Sequence, residues 1–352
     1  MVTNILIYLT VIMSVFTAFS GAFANQPISA MELIESTELK AHQAQLEKGE
    51  IVLITRGKLE NDNELHVAMS LLVPAPLKKT VDKMQNLSSG SNIQGVLAVQ
   101  EIKEAESAKG LRASFSAIAF TPSEIKEAEA MLKVGEYNFS KSDFDFVQKQ
   151  LNGTDPKSKN PNNMNQDALL AAMTKAMQEI LKSRYSAYHS QGLNGIEPYG
   201  LDEKKQIKPS EELVWATESM ALLKSRFPAY YECLRNYPQQ CAPNLINQFF
   251  WVKQFDGSRP MFGLKHWVLD VNDTYALITE RQYYLSHTLN SMQVVIACLP
   301  YKEGTLVVLL NQAFTEKVNR TIGKKIAKAI GYGQVEKNIR PIFEALQAAF
   351  KK

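Results

Sequence analysis

The sequence predicts an α+β protein built around an antiparallel sheet, and three observations support this. Five strand-like segments follow one another on short connections between residues 248 and 314. A block of amphipathic helices occupies the middle of the chain, and a long amphipathic helix ends it. Short connections favour antiparallel pairing, because parallel neighbours need a crossover of about a dozen residues or more.

Composition and charge exclude several classes of protein. The chain has 352 residues, of which 45% are hydrophobic and 21% charged, with a formal net charge of +3. Such values are not those of a disordered chain, a collagen or a coiled coil. The charge is too small and too dispersed for a dedicated nucleic-acid binder, so we expect no nucleic-acid partner. The length suffices for one elaborated domain or two ordinary ones.

The N-terminus predicts export. Residues 5–19 form an uncharged apolar run, and a small-x-small sequence follows at residues 22–24. This pattern predicts a signal peptide over residues 1–24 and a mature chain that starts at Asn25. The run is shorter than the ~20 residues of a membrane helix, and no later stretch is long and apolar enough to span a bilayer. Because no Lys or Arg precedes the run, an uncleaved anchor remains the alternative. We expect a soluble mature protein in a bacterial periplasm or secreted.

Residues 25–120 read as the N-terminal part of the α+β domain. A helix is predicted over residues 30–48, followed by strands over residues 50–59 and 64–73. Prolines at positions 74 and 76 end the second strand, and a short helix follows over residues 77–84. Residues 93–102 and 113–120 are the next predicted strands.

Residues 121–245 read as a helical insertion. Thr121, Pro122 and Glu124 form a helix-start signal, with a capping residue, a proline at the first helical position and a capping-box carboxylate. The strongest helix runs over residues 167–189, and its apolar residues recur on one face. The polar stretch 152–166 is predicted to be a mobile loop.

Residues 246–352 hold the five strands and the terminal helix. The strands are predicted over residues 248–255, 261–270, 275–284, 291–299 and 305–314. In the terminal helix, Ile326 and Ile330 belong to a series of apolar residues spaced four apart. Gly331 and Pro341 are predicted to kink or divide that helix.

The cysteines and histidines indicate a disulfide rather than a metal site. Export permits disulfides, and a Pro-containing loop can bring Cys233 and Cys241 within bonding reach. Cys298 lies in an apolar segment and reads as a small buried hydrophobe. There is no CxxC pair and no helical pair of histidines, so no metal is expected. Phosphate-loop, dinucleotide and nucleophile-elbow motifs are missing from the sequence, so no cofactor is expected.

The best candidate site lies in the segment 281–287. If this segment is a strand, Arg281, Tyr283 and His287 share one face, whereas Tyr284 lies on the other. Arg281 with His287 can contact an anionic head group, and the alternative is an ordinary hydrogen-bonded strand end. In the preceding strand, His266 and Trp267 add an imidazole and an indole to the candidate site. The alternative is that both rings belong to the core. No catalytic residue is assigned, and the candidate ligand-binding residues are Arg281, Tyr283, His287, His266 and Trp267.

One local motif carries a resemblance to a known superfamily. Residues 66–76 form a strand that runs into an Ala-Pro turn before a helix, and this resembles the START-type lipid-binding and polyketide-cyclase-like helix-grip proteins. The resemblance covers residues 50–120 and 246–350, with the terminal helix as the gripping helix. It implies a hydrophobic ligand, such as a sterol, a phospholipid or an aromatic molecule, between sheet and helix; a filled core is the alternative. Residues 281–291 also resemble a segment of exported bacterial proteins that have no assigned activity.

These observations lead to one leading function and two alternatives. The leading hypothesis is an exported protein that binds or carries a hydrophobic ligand, such as an envelope lipid, in a sheet–helix cavity without covalent catalysis. The first alternative is a hydrolase-like or cyclase-like enzyme centred on His287 and Arg281. The second is a module that docks on another envelope protein through its helical insertion.

Overall fold

The computed structural model describes residues 26–56, 62–88, 95–103, 108–154, 165–200, 205–257, 259–316 and 324–351. The predicted signal peptide lies outside these residues, as does most of the predicted loop 152–166. At the centre is an eight-stranded sheet in which every pair of neighbouring strands is antiparallel. The strands are β1 (Val52–Arg56), β2 (Glu64–Val73), β3 (Val96–Glu101), β4 (Ile246–Asp256), β5 (Arg259–Val271), β6 (Ala276–Leu285), β7 (Ser291–Tyr301) and β8 (Gly304–Phe314).

The strand order follows from a run of hairpins that is flanked by the N-terminal strands. From one edge to the other the order is β1-β2-β8-β7-β6-β5-β4-β3. Strands β4 to β8 are sequence neighbours and pair successively, as their short turns predict. The N-terminal strands complete both flanks, because β2 pairs with β8 and β3 pairs with β4. The sheet therefore combines strands that precede the helical segment with strands that follow it.

Helices lie between the strands and at the end of the chain. Before the sheet come α1 (Ala30–Ser36) and α2 (Gln43–Glu47), and α3 (Leu77–Ser88) follows β2. None of the described helices is long and apolar enough to cross a membrane. The remaining helices are α4 (Ala108–Phe115), α5 (Ile125–Ala130), α6 (Lys141–Thr154), α7 (Gln166–Gln191), α8 (Pro209–Glu218), α9 (Ala221–Arg226), α10 (Pro228–Asn236) and α11 (Lys324–Phe350).

Two hydrophobic cores form, one on each face of the sheet. On one face, buried side chains of α4, α7, α8 and α10 pack on residues such as Phe262 and Leu264. On the other face, α3 and the C-terminal half of α11 pack on β2, β7 and β8 through residues that include Met84 and Phe343. We call these faces the insertion face and the grip face. The arrangement confirms the predicted α+β class, with an antiparallel sheet and a long C-terminal helix.

Three predictions of secondary structure differ from the structure, and the first is the helix over residues 30–48, which is divided into α1, a 3₁₀-helix over Glu38–His42 and α2. Residues 113–120 are not a strand, because α4 ends at Phe115 and its ring packs 6.1 Å from that of Tyr185 on α7. The third concerns α11: of the two outcomes predicted for Gly331 and Pro341, division does not occur, because α11 is a single helix that contains both residues. Ile339 and Phe343, on either side of this proline, are buried in the same core, so tertiary packing offsets the lost backbone hydrogen bond.

Candidate functional site

The strand register places a group of polar side chains together on the grip face. Residues directly opposite each other in an antiparallel pair lie on the same face of the sheet. One row across five strands is therefore Lys265, Gln282, Met292, Ala313 and Leu65. The next row is Trp267, Glu280, Val294, Asn311 and Val67.

The polar members of these two rows form what we call the polar floor. The two rows that follow along the sheet are apolar and include Ile278 and Cys298, so they separate these polar residues from the other end of the grip face. The polar floor comprises Lys265, Trp267, Glu280, Gln282 and Asn311, and all but Glu280 are buried.

Hydrogen bonds converge on one carboxylate in the polar floor. Lys265 Nζ lies 3.0 Å from Glu280 Oε1, and Gln282 Nε2 donates to the same oxygen at 2.6 Å. Trp267 Nε1 donates to Glu280 Oε2 at 3.0 Å. The Phe250 ring packs 5.1 Å from the Trp267 ring. The aromatic surface of the polar floor is thereby fixed next to a charged pair.

Two amide oxygens of the polar floor have no hydrogen-bond donor in the described part of the chain. They are Gln282 Oε1 and Asn311 Oδ1, and both are buried. The nitrogen of each amide has an acceptor, which is Glu280 Oε1 for Gln282 and Met292 Sδ, at 3.3 Å, for Asn311. A buried acceptor without a donor is costly, so two of them on one face mark a place where a ligand's donor group would be stabilised.

The helix α11 borders the polar floor. Its residues Tyr332 and Val335 pack against Leu65 and Ala313, and these belong to the same row as Gln282 and Lys265. The C-terminal half of α11 is held more firmly, since Phe343 and Leu346 are fully buried. The polar floor therefore lies beside the middle of the helix, where Tyr332 and Val335 are partly buried.

Three of the predicted site residues lie together on the opposite, insertion face. Arg281 is 1% exposed and donates from Nε and Nη2 to Gln293 Oε1 at 3.0 and 2.8 Å. Nη1 donates to the Tyr188 hydroxyl at 3.2 Å, and Nη2 donates to the Leu234 carbonyl at 2.8 Å. Every one of these acceptors is neutral. We call Arg281, Tyr188, His266 and Gln293 the arginine cluster.

His266 continues this network as a neutral ring. Burial holds the pKa of His266 well below its usual range, and the nearby positive charge of Arg281 lowers it further. Its Nε2 donates to Asn247 Oδ1 at 2.8 Å, so the unprotonated Nδ1 accepts from the Tyr188 hydroxyl at 2.9 Å. The result is a continuous chain of hydrogen bonds from Asn247 to Arg281.

A β-bulge changes the faces predicted for two tyrosines. Leu264 pairs with Tyr284 but Lys265 pairs with Gln282, so Tyr283 is the extra residue. Both tyrosines therefore pack toward the insertion, instead of on opposite faces. The Tyr283 ring stacks on Tyr188 with centroids 3.9 Å apart, and the Arg184 guanidinium lies 4.5 Å from the Tyr284 centroid.

His287 and Trp267 are separated from the arginine cluster. The Nε2 of His287 donates to the Pro260 carbonyl at 3.0 Å, and its Nδ1 lies 2.8 Å from Thr288 Oγ1. Burial lowers the pKa of His287. Trp267 lies on the grip face because neighbours in a strand point to opposite sides. The predicted site residues thus occupy three places rather than one.

A disulfide loop covers the arginine cluster. Cys233 and Cys241 are bonded, and the loop that they close contains Leu234, whose carbonyl accepts from Arg281. It also contains Tyr237, whose ring lies 4.6 Å from that of His266. Arg281 thereby ties the sheet to α7, through Tyr188, and to α10. This pattern is that of a structural junction between insertion and sheet.

Sequence reasoning missed most of the polar floor. Glu280 and Gln282 alternate along β6, which is a detectable signal, since a buried strand with two polar residues on one face needs a partner or a function. The pairing of Arg281 with Tyr188 and Gln293 had no such signal. Among the described residues, no group of three or more His, Cys, Asp or Glu side chains is placed to hold a metal ion.

Two clefts on the described surface lie away from the polar floor and from the arginine cluster. One, of about 220 Å³, is lined by residues that include Lys133, Tyr137 and Phe144. The other, of about 520 Å³, lies between β3 and α4 and is lined by residues that include Glu101 and Ser114. Neither is between the sheet and α11, where the resemblance implied a cavity.

Comparison with known proteins gives structural likenesses alone. No family model and no curated protein matches the chain. The structure is similar to the Zhui aromatase/cyclase of a Streptomyces strain, at 16% identity over 39% of this chain and 84% of that one, with a TM-score of 0.24. It is also similar to the di-domain aromatase/cyclase StfQ of the steffimycin biosynthetic pathway, at 10% identity over 52% of this chain and 58% of that one, with a TM-score of 0.25.

A third likeness is to Ara h 8.0201, at 11% identity over 29% of this chain and 65% of that one, with a TM-score of 0.21. This chain therefore spans less than two thirds of both Ara h 8.0201 and the di-domain protein. At these identities and TM-scores the likenesses assign neither a family nor an activity. The fold rests on the sheet and the two helical layers described above.

Proposed function

We propose that this chain is an exported protein that binds a hydrophobic ligand between the grip face and α11, without covalent catalysis. The observation that carries the proposal is the pair of donor-free acceptors in the polar floor, Gln282 Oε1 and Asn311 Oδ1. They lie at the end of the apolar surface of the grip face, on which α3 and the C-terminal half of α11 pack, so a ligand in contact with both would displace part of α11. An apolar molecule with a hydroxyl or ammonium group matches both parts of this surface.

The physical basis of such binding is burial plus hydrogen bonding. Apolar contact contributes about 25 cal/mol per Å² removed from water. A hydroxyl that donates to Gln282 Oε1 would also remove the penalty of a buried free acceptor, about 1–3 kcal/mol. An envelope lipid with a hydroxylated or amino head group is the ligand class that we propose. The indole of Trp267 offers a flat apolar surface next to that head group.

The geometry gives less support to the hydrolase-like or cyclase-like alternative. Ser286 Oγ accepts from the Phe262 backbone N–H at 3.0 Å, and His287 bonds to Thr288 and Pro260, so these neighbours do not form a nucleophile–base pair. Arg281 belongs to the arginine cluster, whose contacts do not include His287. A single centre built from His287 and Arg281 is therefore not favoured.

The test is to identify what the mature chain retains. Residues 25–352, purified from an oxidising compartment, would be examined by native mass spectrometry before and after incubation with a lipid extract, and bound molecules would be identified after solvent extraction. We expect a stoichiometric apolar molecule with a hydrogen-bond donor. Gln282→Met and Asn311→Leu should each reduce its retention about tenfold, because each removes one acceptor.

A control variant on the opposite face makes the test specific. Tyr283→Phe removes a buried hydroxyl that makes no hydrogen bond to the described residues. It should leave both ligand retention and the melting temperature unchanged. The proposal fails if no apolar molecule is retained, or if retention falls equally in Tyr283→Phe and Gln282→Met. Export is tested separately by fractionating cells and sequencing the mature N-terminus, which we expect at Asn25.

A further inference from the structure

The N-terminal half of α11 has apolar side chains on its outer surface. Ile326 and Ile330 are each 69% exposed and lie one helical turn apart, so they form a single ridge. Ala329 and Gly333, adjacent on the same surface, are also exposed and add no charge. In the C-terminal half of the helix, by contrast, the large apolar residues Phe343 and Leu346 are buried against the sheet.

The same half of the helix is strongly basic. Residues 324–337 hold four basic side chains, including Lys328 and Lys337, and one acidic side chain, Glu336. Glu336 is engaged by Arg340, whose Nη2 lies 2.7 Å from Glu336 Oε1, and Lys328 Nζ lies 3.9 Å from Asp62 Oδ1. An apolar ridge within a basic segment is the pattern of helices that lie in the surface of an anionic membrane.

We infer that the ridge of Ile326 and Ile330 docks on a membrane surface that contains anionic lipids. Charge complementarity favours this occupant over a second copy of the chain, because two copies would bring equal positive charges together. The inference rests on the proposed function and deepens it. The helix that contacts the membrane is the one that borders the polar floor through Tyr332 and Val335. A lipid would then pass between bilayer and protein beside α11.

Vesicle binding tests the inference directly. The mature chain would be sedimented with vesicles of phosphatidylcholine alone and with vesicles that contain about one third phosphatidylglycerol. We expect binding to the second kind, weakened at high salt because screening shortens the range of the attraction. The double variant Ile326→Asp with Ile330→Asp should reduce that binding at least about tenfold. Both positions are exposed, so the variant should keep the melting temperature of the parent.

A matched control excludes a general effect of added charge. Val134 is 68% exposed and lies in the segment after α5, outside the basic helix. Val134→Asp should bind the anionic vesicles as the parent does. The inference is overturned if the double variant binds as well as the parent, or if Val134→Asp loses as much binding. It is also overturned if sedimentation velocity shows that the ridge forms a dimer instead.

Native mass spectrometry separates this inference from the proposed function. The double variant should still retain any ligand acquired from a lipid extract in detergent, since the ridge is not part of the polar floor. Vesicle binding without any retained ligand would refute the proposed function and leave the docking surface standing. Ligand retention without vesicle binding would refute the docking surface alone.

Discussion

The buried carboxyl of Glu212 should make the stability of this protein depend on pH. It lies in the first turn of α8 and accepts from Asn290 Nδ2 and Ser291 Oγ, both at 2.7 Å. Burial raises the pKa of Glu212 from 4.5 to about 7, an effect that these two hydrogen bonds partly oppose. The folded protein therefore binds this proton more tightly than the unfolded chain does.

The direction and size of the effect follow from linkage. The stabilisation is complete below about pH 4.5, falls as the pH rises, and is lost above about pH 7. With about 1.4 kcal/mol for each unit of pKa difference, the total is about 3 kcal/mol. Between pH 5 and pH 8 the free energy of unfolding should fall by about 2–3 kcal/mol on account of Glu212 alone.

Comparison with Glu212→Gln isolates this contribution. Glutamine has the shape of the protonated acid and keeps a hydrogen bond to each partner, but it does not titrate. Urea unfolding of both proteins at pH 5, 6, 7 and 8 should show the parent losing stability relative to the variant as pH rises. Glu211→Gln, which changes an exposed carboxylate in the same helix, controls for net charge. The reasoning is refuted if the difference between the free energies of unfolding of the parent and of Glu212→Gln changes by less than about 0.5 kcal/mol between pH 5 and pH 8.

Two further predictions concern the disulfide loop and its support. Replacing Cys233 and Cys241 by serine should lower the free energy of unfolding by about 2–3 kcal/mol, because the disulfide closes a nine-residue loop and so limits the entropy of the unfolded chain. If the parent unfolds in the same way with and without reductant, this prediction is contradicted. Gly192→Ala should cost about 3 kcal/mol or more, because φ is +58° and a Cβ would lie 1.8 Å from the Tyr237 carbonyl oxygen. At Gly135, where φ is +82° and no atom lies within 4 Å of an added Cβ, the change to alanine should lower the free energy of unfolding by only about 1–2 kcal/mol. If thermal unfolding shows equal losses of stability in Gly192→Ala and Gly135→Ala, the predicted clash at Gly192 is contradicted.

Much of the fold was predictable because local patterns dictate it. The five strands β4 to β8 were located by alternation and turn residues, since each pairs with its neighbour in sequence. The start signal at Thr121 was predicted for the same reason, and the capping box with Glu124 is present. The segment 113–120 was mistaken for a strand because a short apolar run has no decisive period.

The candidate site was less predictable, because it depends on pairs that are distant in sequence. Arg281 was singled out, but its partner Tyr188 lies 93 residues away. The polar floor was missed because Gln282 and Asn311 come from different strands, and only the register brings them to one face. The bulge at Tyr283 depends on how β6 pairs with β5, which no alternation within β6 reveals.

The sequence by itself determined the class of the fold and the alternation of side chains along each strand. It therefore already required Glu280 and Arg281 to face opposite sides, and the structure places them so. Only the tertiary structure decided which helices cover each face, which buried acceptors remain without donors, and which half of α11 is exposed. The physical reason is that alternation is a property of the local backbone, whereas burial and hydrogen bonding depend on every segment that packs nearby.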